Sequence, residues 1–289
     1  LIEGSKDEII EMFLRLNLSN TTLNKQEILN SQYFGDFKSL VEKLTDEFID
    51  DFVEDKLLSP ASIKRMADYH LVSVLLVAQL HGITDKDKRI QKVYSDFDTW
   101  DEDEIKENQV QFKKIYNLIT KSIFDGKLGS SRFRSINGFY SIFEYLHEKI
   151  FKQGMILDSD NNGQVKETLM WLSKEIRMDG NGLGKEWFDL TQQAADTSNA
   201  RNQRKLILSK LLDVYFTTTD PKRAFTDEER IIAWNSNVKV CAICNNDIKD
   251  FKDFDLDHIL PHSKGGKTNL NNAQLTHSSC NRSKGNRLD

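Results

Sequence analysis

The sequence predicts a mainly α protein, in which a multi-helical N-terminal and middle region precedes a small C-terminal unit of short strands and a helix. Three observations predict it. Apolar residues recur at helical spacing from Ile9 to Phe216. Only three prolines interrupt 289 residues, which suits long helices. All three cysteines, Cys241, Cys244 and Cys280, fall after the texture changes to short strands and Gly/Asn turns.

The elements follow in order. Ile9, Ile10, Phe13, Leu14 and Leu16 share one helical face, and Asn17 to Asn20 breaks the pattern. Leu23 to Asn30 reads as a short helix and Phe37 to Val53 as a longer one. Helical patterns continue over Pro60 to His81, Glu104 to Phe124, Phe139 to Phe151, Val165 to Ile176 and Ala200 to Phe216. Thr217 to Phe225, with Asp220-Pro221, reads as a linker. Thr226-Asp227-Glu228-Glu229 then fits a capping box, the Thr226 hydroxyl meeting the Glu229 amide and the Glu229 carboxylate reaching back. A helix to about Trp234 follows. These readings divide the chain into 1–55, a helical spacer over 56–220, and a C-terminal domain over 221–289.

Bulk properties exclude several classes. A hydrophobic share of 38% with 29% charged residues describes a core-forming chain rather than a disordered one. The net charge of −5 argues against indiscriminate coating of nucleic acid, while leaving room for a local basic site. No apolar run reaches the ~18 residues of a membrane span; Leu71 to Leu80 reads as a buried helix. No secretory signal is visible, so a cytoplasmic location is expected. The chain begins at Leu1 rather than Met, as a fragment of a longer protein would.

An odd, clustered set of cysteines without an export signal points to metal rather than to a disulfide. Cys241/Cys244 and His277/Cys280 each have the three-residue offset of a zinc knuckle, and on a helix positions 277 and 280 share a face. Sulfur and imidazole donors in that number make a closed, structural Zn²⁺ site, which a domain with little core needs. Between the pairs lie Asp257-His258-Ile259, Pro261-His262, Gly265-Gly266 and Asn272, and Asn281 and Lys284 follow Cys280.

This ordered set, from Cys241 to Arg287, resembles the HNH (ββα-metal) endonuclease family. It departs from many members in having His277 where they have Cys; imidazole ligates zinc as well. The resemblance implies a zinc-stapled ββα-metal fold that cuts DNA with a divalent ion such as Mg²⁺, leaving a 5′ phosphate and a 3′ hydroxyl. His258, ending the strand expected over Phe254 to Ile259, is the expected general base, because imidazole titrates near pH ~6.5. Asn281 lies about 100° around the closing helix from Cys280, so it can face a second site while Cys280 faces zinc. With Asp257 it would hold the catalytic ion through hard oxygens. Neighbouring strand residues face opposite sides, so Asp257 and His258 share a site only if the strand ends or bends there. Asn272 is expected to tie down the loop carrying His258. His262 is open to three readings: phosphate contact, metal ligand or exposed loop residue.

Lys264, Lys267, Arg282, Lys284 and Arg287 supply local positive charge for a phosphate backbone, with nothing base-specific among them. Arg201, Arg204 and Lys205 cluster on a helix and read as a solvated face, with phosphate contact as the alternative.

At the other end, Phe13-Leu14-Arg15-Leu16-Asn17, then Leu23-Asn24 and Glu27, resembles domain of unknown function 262 of GmrSD-like restriction proteins. That family's Asp-Gly-Gln-Gln-Arg stretch is missing. The resemblance implies a restriction or anti-phage effector and an upstream nucleotide-binding domain or subunit. Two other patterns are decoys. Asp158-x-Asp160-x-Asn162-Gly163 opens like a calcium loop, but Leu169 replaces the required Glu, leaving a polar turn. Gly180-x-Gly182-x-Gly184-Lys185 lacks the P-loop spacing, with Asp179 and Glu186 at its ends, and reads as a flexible loop. His70, His81 and His147 sit in helical patterns and read as structural.

The function expected is therefore a metal-dependent DNA endonuclease. Cutting both strands would require two active sites and hence a homodimer. The competing readings are a non-catalytic zinc module that binds nucleic acid, and a nucleotide-sensing regulator with a vestigial nuclease.

Overall fold

Burial dictates the arrangement of the helical region. A computed structural model describes residues 23–285 except 193, 219 and 221. Its contacts separate into two compact units, one from residues 1–148 and 162–213, the other from 149–161 and 214–289. The first unit, among its described residues, holds α1 (Lys25–Gln32), α2 (Asp36–Glu54), α3 (Pro60–Ile63), α4 (Ala67–His81), α5 (Lys86–Asp96), α6 (Glu102–Asn117), α7 (Ile136–His147), α8 (Asn162–Glu175), α9 (Gly182–Asp189) and α10 (Ser198–Leu212).

The centre of this unit is α4, whose Leu71, Val72, Val74, Leu75, Leu76, Val77 and Ala78 are all buried. A helix that is apolar all round has to be enclosed, and α2, α5, α6 and α7 pack against it. The stripe Phe37, Leu40, Val41, Leu44, Phe48 and Phe52 on α2 recurs every three or four residues and faces the core. Phe48 meets Tyr116 at 4.3 Å between ring centroids, Tyr116 meets Phe139 at 5.6 Å, and Phe112 meets Phe143 at 5.2 Å. Each fully buried side chain of this size contributes about 2 kcal/mol. No described helix is long and apolar enough to cross a membrane.

Several sequence expectations change here. The helix expected over Pro60 to His81 is broken at Met66, which takes a left-handed φ of 57° between α3 and α4. Arg201 and Arg204 are neither solvated nor placed for phosphate, since both are buried. Arg204 donates from Nε to Ser141 Oγ at 2.9 Å and from a terminal guanidinium nitrogen to the Leu190 carbonyl at 2.8 Å. Arg201 donates to the Thr84 carbonyl at 2.9 Å, and its guanidinium lies 4.1 Å from the Tyr140 ring centroid. Buried cations require such partners, and these join α10 to α7 and the neighbouring loops. The glycine-rich loop expected after Asp179 is instead helix α9, with Trp187 buried. A Cβ on Gly184 would lie 2.4 Å from the Glu175 carbonyl oxygen, so its glycine serves close packing of α9 on α8. Asp158 Oδ1 accepts the Asp160 amide in a polar turn, and Leu169 is fully buried.

At the N-terminal end, Phe13 to Asn17 lie outside the described residues. Asn24 and Glu27 form the capping box of α1. Glu27 also pairs with Arg65, Nε to Oε1 at 2.7 Å and the second nitrogen to Oε2 at 3.0 Å. That bond draws the Glu27 carboxyl below its ordinary range.

Among its described residues the second unit contains two antiparallel strand pairs. β1 (Met155–Leu157) pairs with β2 (Phe216–Thr218), Met155 opposite Thr218. β3 (Phe254–His258) pairs with β4 (Ala273–His277), Phe254 opposite His277 and His258 opposite Ala273. Helices α11 (Asp227–Ser236) and α12 (Ser278–Lys284) pack on the β3–β4 hairpin. The Thr226–Glu229 capping box starts α11. The core beneath is small: Ala233, Cys241, Ile248, Phe254, Leu256 and Leu275, with Trp234, Phe225 and Ile243 against it. So few buried side chains leave such a unit marginal without a staple.

Candidate metal and nuclease site

The staple is present as a set of donors. Cys241 and Cys244 sit on a turn closed by Cys241 N–H to the Asn246 carbonyl (2.9 Å) and Asn245 N–H to the Cys241 carbonyl (2.9 Å). Asn245 takes a φ of 57° to make it, a conformation Asn tolerates. His277 ends β4 and Cys280 lies in the first turn of α12. The four donor atoms all lie within 4.8 Å of one another. His277 Nδ1 is 3.4 Å from Cys244 Sγ and 3.9 Å from Cys280 Sγ. These spacings bracket the edge of a tetrahedron, roughly 3.5 Å for zinc bond lengths. Burial opposes ionisation of Cys241, but the N–H groups of Cys244, His277 and Ile243 outweigh it and bring the thiol down to about 6. The cluster can therefore hold zinc, a soft cation with thiolate and imidazole donors.

A pocket of about 510 Å³ opens beside the hairpin, lined by residues that include Arg223, Phe225, Arg230, Asp255, Asp257, His258, His262 and Asn281. Strand β3 stops at His258, which is why Asp257 and His258, neighbours in sequence, both reach it. After His258 the chain turns sharply, Ile259 N–H bonding to the Asn272 carbonyl at 3.0 Å. Asn272 Oδ1 accepts the Leu260 amide at 2.9 Å, and its Nδ2 donates to the carbonyls of Leu260 (3.0 Å) and Lys267 (2.9 Å). The loop is so tight that a Cβ on Gly266 would lie 1.8 Å from the Leu260 oxygen.

The His258 ring lies 4.6 Å from the Phe225 ring, centroid to centroid and tilted by 36°, and places Nε2 2.8 Å from Thr268 Oγ1. Partial burial, then the neighbouring His262, lower its pKa, so the neutral ring is favoured at neutral pH. His262 donates from Nε2 to the Asp220 carbonyl at 2.7 Å.

Asn281 lines the same pocket as His258 and Asp257. Its Nδ2 lies 3.4 Å from Asp255 Oδ2. Asp257 Oδ2 instead accepts from Gln274 Nε2 and from Lys284 Nζ, each at 2.9 Å. Lys284 thus departs from its expected place on a phosphate-binding surface. Its side chain is 2% exposed, and its ammonium also donates to the His258 carbonyl at 3.0 Å. A lysine so enclosed is held by its partners, because an unpaired buried charge is costly. Arg282 and Lys267 are exposed and Lys264 is half-buried; Arg287 lies outside the described residues.

Sequence reasoning missed Asp255, Arg223, Arg230 and Thr268. Asp255 had a readable signal, since two residues before Asp257 on a strand is the same face. Arg230, one turn into α11, donates to the Phe254 carbonyl at 3.0 Å and lies 3.8 Å from Asp255 Oδ1. It borders the pocket because α11 packs on β3, a contact no local pattern encodes.

Comparison of the chain with curated proteins and with solved structures gives no match. Residues 241–287 match the family model described as HNH endonuclease, which gives this part of the chain a nuclease-type or nucleic-acid-binding character with DNA as the implied substrate.

Proposed function

We propose that the C-terminal unit is a metal-dependent endonuclease that hydrolyses DNA phosphodiester bonds. The observation that carries this reading is the convergence of His258, Asp257 and Asn281 on one pocket. A module that only bound nucleic acid would need neither a neutral imidazole nor a carboxylate and an amide there.

The roles follow from the chemistry of each group. His258, uncharged at neutral pH, accepts a proton from a water molecule whose oxygen bonds to phosphorus as the bond to the 3′ oxygen breaks. Asp257 Oδ1 and Asn281 Oδ1, the oxygens outside the contacts with Lys284, Gln274 and Asp255, are hard donors that would suit Mg²⁺ or a similar divalent cation. Such an ion would supply positive charge against the phosphate and the departing oxygen. Asn272 holds the loop that carries His258. Arg223 and Arg230, at the pocket wall, and the exposed Lys267 and Arg282 provide sequence-independent attraction for the backbone. A role as effector of a restriction or anti-phage system extends this reading on the N-terminal resemblance alone.

Plasmid cleavage with Mg²⁺ tests the assignment. His258→Ala and Asn281→Ala should retain zinc and fold and lose cutting, whereas Cys244→Ser should lose zinc and the fold of the C-terminal unit. Undiminished cutting by His258→Ala, or DNA binding without cutting by the native protein, would overturn it.

A further inference from the structure

The imidazole of His258 does not stand alone in its pocket wall. Thr268 is 3% exposed, and its hydroxyl makes two contacts: His258 Nε2 at 2.8 Å and the carbonyl oxygen of Lys222. A carbonyl oxygen only accepts, and a hydroxyl carries a single proton. The Thr268 proton therefore goes to Lys222, and Thr268 Oγ1 is left to accept from His258. His258 must then carry its hydrogen on Nε2, which leaves the Nδ1 lone pair uncommitted to this contact.

The same threonine is clamped to residues that precede α11 within this unit. Its amide donates to Asp220 Oδ2 at 2.7 Å, and the Asp220 Oδ1 atom accepts the Lys222 amide at 3.0 Å. His262 donates to the Asp220 carbonyl. Residues 220 and 222 thus reach the loop that faces His258 through three independent bonds, across more than forty positions of sequence.

We propose that Thr268 is a positioning residue for the nuclease reaction: its hydroxyl, anchored on the Lys222 carbonyl, fixes the tautomer of His258 so that Nδ1 is the nitrogen that receives the proton from water. The inference rests on His258 being the general base. It makes Asp220 and Lys222 part of the positioning apparatus: displacing the Lys222 carbonyl removes the acceptor that dictates which way the Thr268 hydroxyl points. With the hydroxyl free to turn, the contact no longer selects between tautomers, and only the Nε2-protonated one leaves Nδ1 basic.

Nitrogen-resolved NMR of the histidine rings in the zinc-loaded full chain tests this without catalysis, with His258→Gln assigning the signal. The native protein should show His258 protonated at Nε2. Protonation at Nδ1 would overturn the proposal whatever the variants do. Thr268→Val, of nearly the same shape, should give a mixed tautomer signal and lower kcat about ten- to a hundredfold, with the Mg²⁺ concentration for half-maximal cutting unchanged. Thr268→Ser should restore both the signal and the rate. Native tautomer and rate in Thr268→Val would overturn the proposal, as would failure of a folded Thr268→Ser protein to recover. If the native protein has the Nε2-protonated ring and cuts no DNA, the nuclease reading fails, and the tautomer assignment is left as a structural fact.

Discussion

The ammonium of Lys284 sits 2.9 Å from Asp257 Oδ2, joining the last turn of α12 to the end of β3 beneath the pocket. The lysine side chain is 2% exposed and the aspartate 11%. Removing one member of so enclosed a pair strands the other, and costs about 3 kcal/mol. Lys284→Met should therefore lower the unfolding temperature of the C-terminal unit in a calorimetric scan. A lysine whose work was to touch phosphate would give the opposite pattern, with unchanged stability and a shallower dependence of DNA affinity on salt.

Lys284 also marks what the sequence can and cannot convey. The cluster of Cys241, Cys244, His277 and Cys280 was legible because residue type and three-residue spacing are local properties. The Thr226–Glu229 cap was legible for the same reason, and the strand expected to Ile259 stops one residue earlier, at His258. Lys284 in a basic tail, and Arg201 and Arg204 along a helix, look alike in sequence whether solvated or enclosed; only the packing of α12 on β3, and of α10 on α7, decides. Thr268 carried no signal at all, because its partners at 220 and 222 arrive from a distant part of the chain. Gly184 misled for a related reason, since a glycine that admits a neighbouring backbone is spelled like one that frees a loop.

Partial burial and the adjacent His262 hold His258 below the ordinary histidine value of about 6.5. A general base works in its unprotonated form, so kcat/KM should rise with pH through this lowered value and reach its plateau at a lower pH than an unperturbed imidazole would allow. Replacing His262 by Gln removes one of the depressing influences, the others being burial and the Lys284 ammonium. The acid limb of the His262→Gln profile should then move to higher pH, because the His258 pKa rises. An unmoved limb in a variant that retains zinc would assign that limb to another group.

In the helical unit, Glu144 on α7 is 3% exposed, and burial pushes its carboxyl up to about 7 against the opposing pull of Lys205, 3.5 Å away. Raising the folded value above the unfolded one of 4.5 means that the folded chain holds this proton more tightly. Its stabilising contribution is complete below the unfolded value and is lost as pH climbs through about 7. Glu144→Gln mimics the protonated acid at every pH. At pH 8 the variant should be the more stable by about 3 kcal/mol, and the advantage should shrink as the pH is brought down to 5, where the native side chain is itself protonated. Chemical denaturation at the two pH values measures the difference. An equal effect at both would mean that the substitution acts through packing or the Lys205 contact and that Glu144 does not titrate in this range.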